Sequence, residues 1–466
     1  CAFAGTFLNL HLYPILTPML PILLLLALTF RTFGAGLESV GFISSSTLDS
    51  FGETAGGYGS AAAYDAQVGI LYLTSDRGPG DGTIDYAPRL FAVPIPSPNT
   101  QNPVGTQASA SKPAPEPGAL QGPPTSKDSV NVIVNLNEPS SARLYKDVDG
   151  KTFTGLIPDS SDPEPRMKDG RRCLDPEGLA LMKDGNLYVS EEYYPSVLQF
   201  KPDGTFLARF VPPENYLPRN AAGEVDFRAM EKRTEGREDN RGFEGVARSP
   251  DGKTIYTILQ SALTQDGGRE AGATRLLAFD SMTGSPKSEY AIRLTDPVSL
   301  EKKSNKLKSK NISLTELAFL PDGRLIAIER DNRGQDGSAD SKPAVLKQVI
   351  TLDLNGATDL LSLPDKPYSQ RPFDPKFKKL DARQNIQYVK TNTLFDFASL
   401  DLPSKGLAWE KIPEKWEGLA FLPDDRLFVI SDNDFLTPEL TLGGKKIPFP
   451  KCQNPVDTWW FTVKLR

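Results

Sequence analysis

The segment Trp416 to Asp434, W-E-G-L-A-F-L-P-D-D-R-L-F-V-I-S-D-N-D, places an acidic residue before a short apolar run. A Pro-Asp turn, a second apolar run and a closing acidic cluster follow. Apolar runs of this length, rich in β-branched and aromatic residues and bounded by turn residues, predict a β-hairpin. Degenerate copies occur at Glu177–Tyr193, Glu244–Ser261 and Thr315–Asp331, and a weaker first copy runs through Gly69–Ser75 to Asp76. Arg89–Ile95, Arg275–Asp280 and Lys347–Leu354 read as further strands, while helical periods are scarce. The pattern predicts an all-β chain, a β-propeller of six or seven blades. Copies spaced by roughly 70 residues, against ~40–45 for compact blades, require loop insertions. The alternating, aromatic segment Thr458–Leu465 is expected to close the ring with the N-terminal strands, which spares an exposed edge.

Several stretches fall outside this pattern. Residues 1–36 are apolar, with Met19–Phe30 of the length of a secretion-signal core and Gly34-Ala35-Gly36 as small residues for cleavage. Pro14, Pro18 and Pro21 weigh against a clean spanning helix, the alternative reading, so no stable membrane span is expected once the signal is removed. Residues 37–466 then form one domain. Residues 96–127, rich in Pro, Ser, Gln and Ala, read as a flexible surface insertion, after which Val130–Leu136 resumes strand character. The charged stretch 212–240 is expected to carry a short helix around Val225–Arg233, and Lys302–Lys310 reads as a solvated basic loop.

Composition narrows the chemistry. Charged residues are 24% and hydrophobic ones 39%, as in soluble globular proteins, and the net charge of −6 supplies no basic field for nucleic acid. The single histidine, His11, lies in the apolar N-terminal segment. A Ser-His-Asp triad, a His-based zinc site and a phosphohistidine therefore have no imidazole to use. Cys1, Cys173 and Cys452 form no C-x-x-C spacing; either Cys173 and Cys452 bridge, which suits an oxidising compartment, or both stay thiols. Asn311 heads the one N-x-S/T sequon.

In an antiparallel hairpin the residues before the first strand and after the second share one end. Glu417 then meets Asp432, Glu177 meets Glu191 and Glu192, and Glu316 meets Glu329. Aligned on their turns, with one extra residue in the third, the copies put Asp76, Glu192, Gln260, Arg330 and Asp432 in one column. Carboxylates so crowded must either rise in pKa or bind cations. Without imidazole or paired thiolates, the expected cation is hard, Ca²⁺ before Mg²⁺ or Mn²⁺. Arg77, Arg241, Arg330 and Arg333 are interleaved with the acids and suit phosphate oxygens. Structural ion pairs that hold loops together are the alternative for the same residues.

The succession E-G-L-A…S-E-E-Y, F-E-G-V-A-R-S-P-D-G-K, L-T-E-L-A-F-L-P-D-G-R-L-I-A-I-E-R-D and the opening stretch resembles the phytase-like family, from about Phe51 to Asp434. The resemblance implies a β-propeller with an acidic site and phosphoric-ester hydrolase activity. Its acids map onto Glu177, Glu191, Glu244, Glu316, Glu329, Glu417 and Asp432; the first copy has Tyr58 near the place of the opening glutamate and rests on Asp76 and Arg77. The expectation is a secreted, monomeric enzyme acting on a small phosphate ester. Glu244 or Glu417 orients water, Arg241 and Arg330 neutralise transition-state charge, and Arg77 and Arg333 bind substrate. Glu177, Glu191, Glu316, Glu329, Asp432 and Asp76 hold Ca²⁺. Rival readings are a Ca²⁺-dependent lactonase or carboxylic esterase, and a non-catalytic propeller that uses calcium for stability and its rim for binding.

Overall fold

The computed structural model describes residues 35–95, 141–230, 232–300, 307–363, 386–450 and 452–465. Nearly all of residues 1–36, the 96–127 insertion, the Val130–Leu136 strand and the start of the Lys302–Lys310 run lie outside them.

Strand β1 (Gly36–Ile43) opens the described chain. The first blade is β2 (Ala61–Asp65), β3 (Ile70–Thr74), β4 (Arg89–Pro94) and β5 (Ser141–Leu144). The second is β6 (Pro176–Leu181), β7 (Leu187–Glu191), β8 (Ser196–Phe200) and β9 (Phe206–Phe210). The third is β10 (Phe243–Arg248), β11 (Thr254–Leu259), β12 (Ala273–Asp280) and β13 (Pro286–Arg293). The fourth is β14 (Ile312–Phe319), β15 (Leu325–Asp331), β16 (Lys347–Asp353) and β17 (Lys390–Asp396). The fifth begins with β18 (Lys415–Leu422) and β19 (Arg426–Asp432). After a small hairpin, β20 (Glu439–Leu442) and β21 (Lys445–Pro448), it is completed by β22 (Thr458–Lys464), with β1 on its outside.

The described residues thus form five antiparallel four-stranded sheets, each in meander order except the fifth. The innermost strands touch in a closed cycle, β2 to β6 to β10 to β14 to β18 and back to β2. Five blades close the ring, fewer than the six or seven expected. The repeat spacing that suggested more is taken up by long connections, such as residues 211–242 between the second and third blades, and not by further sheets. The expected closing strand is present: β22 pairs with β19 on one side and β1 on the other. Residues 225–230, within the stretch expected to be helical, are irregular, with Arg219 bridged to Val225.

Each junction between neighbouring blades has its own apolar core, because strands covered on both faces send alternate side chains to opposite neighbours. On β3, Leu71 and Leu73 pack with Phe428 and Ile430 of the fifth blade, while Tyr72 between them packs with Leu187 and Val189 of the second. Trp416, Phe397 and Phe461 fill the junction of the fourth and fifth blades, with Phe397 edge-on to both other rings.

The turns that join inner strands demand left-handed backbone. Gly252 and Gly323 supply it at φ of 74° and 87°; in the fifth blade Asp425 takes the same place at φ 55°. Cys173 and Cys452 are separate buried thiols, so the bridge that the sequence permits is not formed.

Candidate metal and active site

The inner strands carry their acids on β-bulges, which turn a side chain out of the pleat. In β18 the register passes from Trp416 opposite Ser431 to Gly418 opposite Ile430, and Glu417 is the extra residue between them. Glu177 of β6 has the same place, between Pro176 opposite Glu191 and Gly178 opposite Ser190. Glu244 lies in the corresponding irregularity of β10. Glycine follows each of these glutamates because the inner strands crowd together there: a Cβ on Gly245 would stand 2.2 Å from Leu317 N. Hydroxyls fix the backbone that carries the acids. Ser190 Oγ donates to the Glu244 carbonyl, and Thr315 Oγ1 donates to the Trp416 carbonyl at 3.0 Å.

Two groups of carboxylates result. Asp175, Glu177 and Glu192 offer oxygens within 4.8 Å of one another, and so do Asp76, Asp432 and Asp434. Glu417 acts electrostatically on both groups, through Glu177 and Asp432, and Glu244 acts on Glu177: burial first, then Asp175, Glu244, Glu417 and Glu192, hold Glu177 well above the usual carboxylate range. Burial and then Asp432, Asp434 and Asp175 do the same to Asp76, with Lys415 opposing. Burial, followed by Asp434, pushes Asp432 to about 7, and burial with Asp175 pushes Glu192 to about 7 against the pull of Arg77 and Arg241. Glu244 is raised by burial, then by Glu417 and Glu192, and its Oε2 is buried without a hydrogen-bond partner.

Four cations answer this charge. Arg77 reaches Asp175 at 3.1 Å and Glu192 at 3.7 Å, and its own N–H donates to Asp175 at 3.0 Å. Lys415 reaches Asp434 at 2.6 Å. Arg330 donates to Glu417. Arg241 makes no ion pair among the described residues; burial, then Arg269, lowers it to about 10 while Glu192 and Glu244 hold it up. The acids outnumber these cations, and buried like charges at such separations stay ionised together only with a further cation. A calcium ion, with oxygen ligands at about 2.3–2.6 Å, fits either group of three.

The column of residues at the end of each second strand is therefore brought together in four blades, through Asp76, Glu192, Arg330 and Asp432, with Gln260 buried in the third. Three expected ligands are placed elsewhere. Glu191 turns away from both groups and accepts from Tyr194 N at 2.6 Å. Glu329 faces the third blade and accepts from Thr295 N and Oγ1, both at 2.6 Å, and from Gln348 Nε2. Glu316 lies on the ring axis, where its carboxylate accepts from Ala62 N at 3.2 Å and Leu317 N at 3.0 Å and also holds the Val246 amide. Aligned on the turns, Glu316 stands opposite Gly418, and Thr315 opposite Glu417. Glu316 and Glu329 consequently do not meet. Arg333 is half-buried beyond β15, with its carbonyl accepting from Lys347 Nζ at 2.8 Å.

Asp175, Asp434 and Lys415 belong to the site without having been singled out. Asp175 and Asp434 each stand two residues from a named acid, in D-P-E and D-N-D, a spacing that returns a side chain to the same face of extended chain.

A family model described as esterase-like activity of phytase matches residues 53–435. A protein of Arthroderma benhamiae described as an uncharacterized secreted protein is 29% identical over 468 residues, covering 87% of this chain and 88% of its own. Among solved structures, a luciferin-regenerating enzyme aligns over 92% of this chain and 95% of its own, at 12% identity and a TM-score of 0.32. A gluconolactonase from Xanthomonas campestris aligns over 93% and 98%, at 9% identity and a TM-score of 0.31.

Proposed function

The chain belongs to the phytase-like family, and from that membership and the acid-lined mouth of the ring we propose that it is a secreted, Ca²⁺-dependent hydrolase of phosphoric esters. Secretion is supported by the apolar N-terminal segment and by the secreted relative; no helix of the described residues is long and apolar enough to cross a membrane.

The observation that carries the reading is Glu244, a buried carboxylate with one oxygen that has no hydrogen-bond partner among the described residues, acting on Glu177 of one group of three acids and on Arg241, which has no ion pair among those residues. The two groups, Asp175 with Glu177 and Glu192, and Asp76 with Asp432 and Asp434, would hold calcium. When bound, the ion neutralises these carboxylates and the negative charge of a phosphoryl group.

The protein's own groups account for the remaining steps. Glu244 Oε2 accepts a proton from the attacking water as its oxygen bonds to phosphorus and the ester P–O bond breaks. That proton then passes to the departing alkoxide, so the products are the alcohol and inorganic phosphate. Arg241 donates to the equatorial phosphoryl oxygens, where charge accumulates. Arg330 is already paired with Glu417 and orients that carboxylate; Arg77 is committed to Asp175 and Glu192 and holds the ligand set in place.

The test is turnover of a panel of phosphate mono- and diesters by the calcium-loaded protein, with Glu244→Gln beside it. Chelator-sensitive hydrolysis that Glu244→Gln lowers about 100-fold is expected. Hydrolysis of lactones or carboxylic esters alone moves the assignment to a lactonase; calcium stabilisation with no turnover of any substrate makes the chain a binding propeller.

A further inference from the structure

A cavity of about 300 Å³ adjoins the acids, at the lower end of the range for small-ligand pockets. Arg77 belongs to both places: it lines the cavity while its Nη1 reaches Asp175 and Glu192. One wall is apolar, formed by Ile157, Tyr193, Phe227 and Ala229. Tyr193 is turned so that its hydroxyl donates to the Gly155 carbonyl at 2.7 Å. Phe227 is braced against Tyr194, with ring centroids 5.0 Å apart. Two rigid rings, with the one hydroxyl between them satisfied elsewhere, present a surface suited to another ring.

The charged lining cancels. Arg77 is paired with Asp81 at 3.3 Å besides Asp175, and Arg237 with Asp239 at 3.0 Å. No lysine is among the described residues that line the cavity. A ligand with several phosphates needs cations free to receive them, and each guanidinium here already has a carboxylate. An uncharged group asks for none.

We infer that this cavity receives the uncharged, ring-bearing alcohol half of a phosphoric monoester whose phosphoryl group sits at the acids, and that polyphosphorylated polyols are poorly accepted. The placement of the phosphoryl group rests on the hydrolase reading above; the preference for a ring rests on the cavity.

Phenylphosphonate and methylphosphonate cannot be hydrolysed, so calorimetry with the calcium-loaded protein reads the cavity without turnover. Phenylphosphonate binds about tenfold more tightly, and fructose 1,6-bisphosphate binds more weakly than phenylphosphonate. Ala229→Trp, at an exposed position on the rim, brings phenylphosphonate down to the level of methylphosphonate with an unchanged Tm. Ile157→Lys adds an unpaired cation and strengthens fructose 1,6-bisphosphate. Equal affinity for the two phosphonates, including no binding of either, overturns the inference, as does tighter binding of the bisphosphate. If the phosphonate preference holds while no ester is cleaved, the hydrolase reading fails and the cavity assignment stands. Hydrolysis with no preference for phenyl over methyl phosphate has the opposite meaning.

Discussion

Arg330 and Glu417, one near the end of the second strand of the fourth blade and the other on the inner strand of the fifth, form an ion pair that is almost wholly buried. Burial acts to lower Arg330, but Glu417, Glu414 and Glu244 hold it above its ordinary value. The pair joins two blades at the mouth of the site. Glu244, on the inner strand of the third blade, keeps Oε2 buried without a hydrogen-bond partner among the described residues.

Breaking this pair from one side strands a buried charge. Arg330→Met leaves Glu417 without its partner among other acids and is expected to cost about 3–5 kcal/mol in urea unfolding. The double variant Arg330→Met/Glu417→Gln recovers a large part of that loss, because both buried charges are then gone. Equal stability of the single and double variants would show that the pair is not what holds the junction.

Calcium is expected to raise the Tm of the full chain, by mass action on the folded state alone. At a concentration 100 times its Kd, one site contributes about 2.7 kcal/mol. Asp432→Asn and Asp175→Asn each weaken this response, one in each carboxylate group. An unchanged Tm of the unaltered protein on adding calcium or chelator rules out both groups as calcium sites.

The metal-free protein should gain stability on acidification over a range where most proteins lose it. Asp432 and Glu192 are raised from 3.8 and 4.5 to about 7 in the folded state. Between those limits the folded protein binds more protons than the unfolded chain, so their stabilising contribution is complete below about pH 4 and is lost as pH rises through 7. Thermal unfolding of chelated protein at pH 5 and pH 8 reads this directly, with the higher Tm at pH 5. Saturating calcium, by taking the place of the protons, flattens or reverses the trend.

Glu316 accepts from backbone amides on the ring axis, and its role is expected to be structural. Glu316→Ala removes the acceptor for the Ala62 and Val246 amides, each buried between inner strands. About 2–6 kcal/mol of stability is expected to go with it, at about 1–3 kcal/mol for each stranded donor. The calcium affinity of the variant that remains folded is unchanged; a tenfold loss would return Glu316 to the metal site.

Much of this protein could be read from residue patterns. The strand-turn-strand units, the closing role of Thr458–Leu465 and the meeting of Glu417 with Asp432 follow from period-two alternation and from hairpin geometry. Asp76, Glu192, Arg330 and Asp432 could be aligned because a turn of fixed length sets the register of the strand after it. Glu316 shows where this stops. Its motif L-T-E-L-A-F shares L-A-F with W-E-G-L-A-F but carries its acid one residue nearer the turn, and at a bulge that one-residue offset decides between the mouth and the axis.

The sequence by itself determined that the chain is built of β-hairpins with acidic ends, and that its carboxylates face the choice of protons or a hard cation, because the only imidazole lies at residue 11. Only the tertiary structure decided that five sheets close the ring, that Asp175 and Asp434 complete the two carboxylate groups, that Glu191 folds back onto a turn of its own blade, and that Glu329 points to a neighbouring one. The reason is geometric. Local pattern fixes which end of a hairpin an acid occupies, but the face it presents and the acids it meets depend on how the blades are rotated about a common axis, and that is set by packing between residues far apart in the chain.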